Sequence, residues 1–139
     1  MSLKEDFKFS NESKCWIYAS FLLSNSQYEN CEWETINTII NDFFENREYY
    51  VDEGKKALLG YASEIDFFSK EEFDDLVFDF GQARLLIKHQ KPEGFRLAYS
   101  VKDDGTQKIH WKDLYGIWTV DFAGRTIRQV NRVEMIDFN

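Results

Sequence analysis

The apolar positions of the chain change their spacing several times, and each change predicts an element. Trp16, Ile17, Ala19, Ser20, Leu22 and Leu23 crowd together at helical spacing behind Ser13, a residue type that caps helices, before Ser24-Asn25-Ser26 ends the run. This predicts a first helix and then a polar connector to about Cys31. Trp33, Ile36, Ile39, Ile40, Phe43 and Phe44 form one apolar stripe on an otherwise polar cylinder, a second helix. Tyr49-Tyr50-Val51 and Ala57 to Ala62 flank Asp52-Glu53-Gly54-Lys55, which reads as two strands around a turn. Ser69-Lys70-Glu71-Glu72 has the capping-box pattern ahead of Phe73, Leu76, Val77 and Phe80, so a third helix is expected to end near Gly81. Ala83 to Ile87 fits either a strand or a continuation of that helix.

Beyond Lys91-Pro92-Glu93-Gly94 the texture is that of strands. Phe95 to Val101, Gln107 to Trp111, Ile117 to Phe122 and Thr126 to Phe138 are separated by turns at Lys102-Asp103-Asp104-Gly105 and Ala123-Gly124. The pattern predicts an α+β fold with helices packed on a mostly antiparallel curved sheet, in the order helix, helix, hairpin, helix, strands. A length of 139 residues suits one domain over 1–139, with no internal repeat and no low-complexity tract.

Composition adds an aromatic core: 13 Phe, 7 Tyr and 4 Trp against a single Pro imply large flat side chains on regular elements. The net charge of −8 is unevenly spread. Residues 1–80 hold 7 Lys and Arg against 18 Asp and Glu, net −11, and residues 81–139 hold 10 against 7, net +3. The split implies an acidic and a mildly basic surface, or merely solvated faces that differ. Two cysteines, Cys15 and Cys31, are too few for a disulfide framework. With a polar, acidic start and no apolar run long enough to span a bilayer, the expectation is a cytoplasmic protein without a leader or membrane span.

No phosphate-binding glycine loop, nucleophile elbow or Cys/His set with zinc spacing occurs, so no metal site is expected. His89 and His110 are the only histidines, and neither has a catalytic neighbour in sequence. Glu71, Glu72, Asp74, Asp75 and Asp79 read as the solvated face of the third helix. Arg125, Arg128 and Arg132 line up as a basic strip, and with Trp111 they are the candidate residues for binding a partner. The aromatics of that half alternate like core strands rather than base-stacking platforms, which argues against nucleic acid.

One constellation is similar to a known family. Trp111-Lys112 followed by Trp118-Thr119-Val120-Asp121-Phe122 resembles the strand signature of the toxin-activating lysine acyltransferases that fatty-acylate RTX-type protoxins. Trp16 through Ser20 and Leu23 resemble that family's first helix, Tyr49 and Tyr61 with Ala62-Ser63 its first hairpin, and Ser69 with Glu71 and Glu72 the cap of its third helix. The resemblance implies an acetyltransferase-like fold, with no bound cofactor. It also implies transfer of a fatty acyl group from acyl carrier protein to a lysine, using a His on the first helix and an Asp on the strand. Asp121 stands at the matching Asp position. The family's His is replaced by Ser24, with Asn25 beside it.

A lysine amine is mostly protonated near neutral pH and needs a general base to attack a thioester, which Ser24 does not supply unaided; Glu29 and His110 are the alternatives. A carboxylate at Asp121 also fits a structural role, paired with Arg125 or capping the Ala123-Gly124 turn, and Trp111 and Trp118 fit plain core packing. The rival reading is a non-catalytic immunity or inhibitor protein that neutralises a toxin or nuclease through an acidic surface. An open pocket between the 49–62 segment and Ile117 to Phe122 would point to acyl transfer. A closed aromatic core with an acidic patch would point to inhibition. Either way the expected partner is a protein.

Overall fold

In the computed structural model, residues 2–102, 113 and 116–134 are described. A short 3-10 turn over Lys4–Asp6 leads into β1 (Lys8–Ser10), β2 (Cys15–Tyr18) and β3 (Phe21–Leu23), an antiparallel three-stranded sheet in that order. Four helices follow: α1 (Asn25–Asn30), α2 (Trp33–Glu45), α3 (Arg47–Ile65) and α4 (Lys70–Asp74). The chain then forms a four-stranded antiparallel meander of β4 (Phe78–Lys88), β5 (Lys91–Val101), β6 (Gly116–Ala123) and β7 (Thr126–Glu134).

The fold is therefore α+β, but the order differs from helix, helix, hairpin, helix, strands. The segment expected as the first helix is a strand-turn-strand. Trp16 pairs with Leu23 and Tyr18 with Phe21, and a two-residue turn places Ala19 in the left-handed region at φ 50°. Three- and four-residue strands around so tight a turn bring apolar positions as close in sequence as a helix would. Ser13 accordingly caps no helix. The polar stretch expected as a connector contains α1, which Ser24 caps.

The segment expected as a hairpin over 49–62 is the middle of the single helix α3, and Gly54 lies inside it rather than in a turn. Tyr99 explains the glycine: a Cβ at Gly54 would lie 2.1 Å from the Tyr99 hydroxyl. The third helix is capped by Ser69 as expected but ends at Asp74, and Phe78 already begins β4. The reason is pairing: Phe78 stands opposite Val101, and the Lys102 amide donates to the Val77 carbonyl at 2.8 Å. Ala83 to Ile87 is strand. Gln107 to Trp111 and 135–138 lie outside the described residues.

Helices α2 and α3 cover one face of the meander. Tyr50 of α3 meets Phe95 edge-on at 4.9 Å and Phe122 at 5.2 Å, and Phe43 of α2 meets Phe95 at 5.3 Å. Trp118, Tyr50, Tyr99, Phe43, Phe78 and Phe122 are all but fully buried there. Since side chains alternate along a strand, β5 and β6 send Phe95, Leu97, Tyr99, Trp118, Val120 and Phe122 to the helices. Arg96, Ala98, Thr119 and Asp121 go to the opposite face. The space between α3 and Ile117 to Phe122 is thus a closed aromatic core.

Candidate functional site

Asp121 stands directly opposite Arg96 across the β5–β6 pair. The Arg96 guanidinium donates to both carboxylate oxygens, Nε to Oδ1 at 2.7 Å and Nη2 to Oδ2 at 2.9 Å. This fork-to-fork geometry is the strong form of the pairing, and the Asp121 hydrogen bonds hold Arg96 above its ordinary pKa. The expected partners of Asp121, Arg125 or the Ala123-Gly124 turn, are not the ones used. With both oxygens occupied by a cation, Asp121 is poorly placed to take a proton from an amine.

Ser24 is equally committed. Its hydroxyl oxygen accepts from the Gln27 amide at 3.1 Å while the Gln27 side-chain oxygen accepts from the Ser24 amide at 2.9 Å, a complete capping box for α1. The hydroxyl borders a surface cleft between the N-terminal sheet and β4. Of the two bases considered for it, Glu29 is exposed on α1, and His110 lies outside the described residues, as does Trp111. His89 sits with Gln90 in the β4–β5 turn, both at positive φ, as a two-residue hairpin with two left-handed central residues requires.

The basic strip does not form. Arg125, in the β6–β7 turn, lies 3.9 Å from Asp42 of α2 and 4.9 Å above the Tyr49 ring. Arg128 is exposed on β7. Arg132 turns inward: its Nε and Nη2 each approach Asp113 Oδ1 at 2.7 Å, its Nη1 approaches Glu134 at 2.6 Å, and its guanidinium lies 4.3 Å above the Phe67 ring. The Trp118 indole donates to the other Asp113 oxygen at 2.7 Å.

Asp113 is the residue that sequence reasoning missed. Its side chain is fully buried, and burial pushes its pKa up against the pull of Trp118 and Arg132. Gly116 makes room for it, since a Cβ there would fall 2.2 Å from the carboxylate. A legible signal existed only in outline: an Asp three residues ahead of a Gly, between two Trp in sequence, with no way to see Arg132 folding back on it.

The exposed carboxylates collect on the helical part. From Glu64 through Asp75, at the end of α3 and along α4, six acidic residues face the single cation Lys70. Glu64, Asp66, Glu71, Asp74 and Asp75 are all exposed, and so are the neighbouring Ile65 and Val77, at 38% and 48%. Nearer the core, the Tyr50 hydroxyl donates a short hydrogen bond to Asp42. Burial first, and this bond second, push Tyr50 up to about 12. A phenol whose pKa is raised on folding contributes stability that is complete below its unfolded value near 10 and is lost as pH rises through 12. Thermal melts between pH 9 and 12 are therefore expected to fall less steeply for Tyr50→Phe than for the wild type; parallel curves would remove Tyr50 from the alkaline transition.

Cys15 and Cys31 are free thiols, the latter raised in pKa by burial. Among the described residues, no group of three or more His, Cys, Asp or Glu is arranged to hold a metal ion, and no helix is long and apolar enough to cross a membrane. Comparison with known proteins gives no match to a family model, a curated protein or a solved structure.

Proposed function

We propose that the chain is a non-catalytic, inhibitor- or immunity-type protein of the cytoplasm that binds a basic protein partner, such as a toxin or nuclease, through the end of α3 and α4. The observation that carries this reading is the exposed acidic stretch from Glu64 to Asp75, with one exposed apolar side chain inside it, Ile65, and another just after it, Val77. Carboxylates of one sign steer a cationic partner and set its orientation, while apolar anchors slow its release. The closed aromatic core between α3 and β6 supports the same reading, as does the commitment of Ser24 and Asp121 to a helix cap and an ion pair.

The test is capture of the partner at low ionic strength from cells that natively express the protein, comparing the wild type with Glu64→Lys/Asp74→Lys/Asp75→Lys. All three side chains are exposed, so the variant is expected to fold. The partner should be lost from the variant and its association slowed by added salt, because a steered encounter is screened beyond about 10 Å at 0.1 M salt. A partner indifferent to both changes would sink the acidic-patch reading. Incubation with acyl carrier protein charged with a labelled fatty acid is the complementary arm: label appearing on a lysine overturns the non-catalytic reading.

A further inference from the structure

A cleft of about 540 Å³ opens between the β1–β2 turn, β3 and the side of β4, with Ser13, Lys14, Leu22, Leu23, Arg84 and Leu85 among its lining residues. Its volume lies in the range of small-molecule sites. Among the described residues, the charged side chains that line it are Lys14 and Arg84, two cations and no carboxylate, in a chain of net charge −8. Neither has an ion-pair or hydrogen-bond partner for its side chain among the described residues.

The placement of both carries a cost to the fold. Arg84 stands directly opposite Arg96 in the β4–β5 register, where like charges repel, and Asp121 is already engaged by Nε and Nη2 of Arg96. Arg84 is exposed and contributes nothing to the core. Lys14 holds a left-handed backbone at φ 57°, a region uncommon for residues other than Gly, Asn and Asp. A cross-strand repulsion and a strained backbone thus deliver two free cations to one cleft with a leucine wall.

We propose that this cleft binds a small organic phosphate. Arg84 and Lys14 hold the dianionic head, the guanidinium as a planar fork and the ammonium as a point charge, and the organic body lies on the half-buried Leu22, with the buried Leu23 and Leu85 behind it. The Ser24 oxygen accepts from Gln27, which leaves its hydroxyl proton free to point into the cleft. The site is separate from the acidic patch of α3 and α4 and stands whether or not that patch binds a protein.

Phenyl phosphate is the probe, titrated into the full chain by calorimetry, with inorganic phosphate and benzoate as the comparison arms. Saturable binding of phenyl phosphate is expected, with inorganic phosphate weaker for want of an apolar body and benzoate weaker for want of the second charge. Arg84→Gln is expected to weaken phenyl phosphate about tenfold, Lys14→Gln to weaken it less, and Arg128→Gln to leave it unchanged. Arg84→Gln should also melt no lower than the wild type, because it removes a like charge placed opposite Arg96 in the register. No saturable binding, tighter binding of benzoate, an equal loss in Arg128→Gln, or a lowered melting temperature in Arg84→Gln would each overturn the proposal.

Discussion

Arg132→Met is expected to lower the unfolding free energy by about 3–5 kcal/mol, the cost of breaking a buried ion pair by removing one partner. Methionine keeps most of the packing over Phe67 but removes the cation from beside Asp113, whose side chain is 0% exposed. Among the described residues the carboxylate keeps only the Trp118 indole, and Glu134 also loses Arg132. The pH dependence identifies the cause. In the folded wild type Asp113 already lies above its ordinary pKa, and without Arg132 it lies higher still. A carboxyl with a raised folded pKa destabilises the fold at neutral pH and does so less as pH falls and the proton binds. The gap between variant and wild type in urea denaturation should therefore narrow from pH 7 toward pH 5. Asp113→Asn in the Arg132→Met background is expected to recover part of the loss, because it removes the orphaned charge. A deficit below about 1 kcal/mol, or a gap independent of pH, would place Arg132 among ordinary exposed pairs.

What the sequence conveyed follows from how local each signal is. The apolar stripe of α2, the capping box at Ser69 and the alternation over 95–101 and 117–122 depend on neighbours a few residues away and are found in place, although the helix that Ser69 caps stops at Asp74 and β5 starts earlier, at Lys91. The N-terminal hairpin was hidden because strands of three and four residues are too short to display a period of two. Helix α3 was hidden by Gly54, whose purpose lies 45 residues away at Tyr99. The same distance limits the site residues. Asp121 was visible as a strand carboxylate, but its partner Arg96 is set by register, and nothing local distinguishes it from Arg125. The three arginines look like a strip in one dimension. A bulge between Asp121 and Phe122 and the inward turn of Arg132 send them to different surroundings. The acidic patch was legible as composition because it needs no partner within the chain to exist.

Two glycines of the same helix are expected to respond with opposite sign when replaced by alanine. Both replacements gain about 1 kcal/mol of intrinsic helix preference, since glycine loses more backbone freedom on folding. At Gly60 none of the described residues lies within 4 Å of the new methyl group, so Gly60→Ala should raise stability by about 0.5–1 kcal/mol. At Gly54 the methyl carbon would sit 2.1 Å from the Tyr99 hydroxyl and 2.9 Å from Cζ of its ring. Tyr99 has no free direction to yield, being 2% exposed, and its hydroxyl donates to the Val51 carbonyl of the same helix at 2.9 Å. Displacing it overpacks the core at about 1–3 kcal/mol and leaves a buried hydroxyl unpaired at about 1–3 kcal/mol. These losses exceed the propensity gain, so Gly54→Ala is expected to be destabilising by about 3 kcal/mol. Tyr99→Phe removes the closest contact but not the one to the ring carbon, so the double variant should recover part of the loss and no more. Chemical denaturation of the four proteins decides the matter. A stabilising Gly54→Ala, or additive effects of Gly54→Ala and Tyr99→Phe, would mean that α3 and β5 are not held together by this approach of backbone to ring.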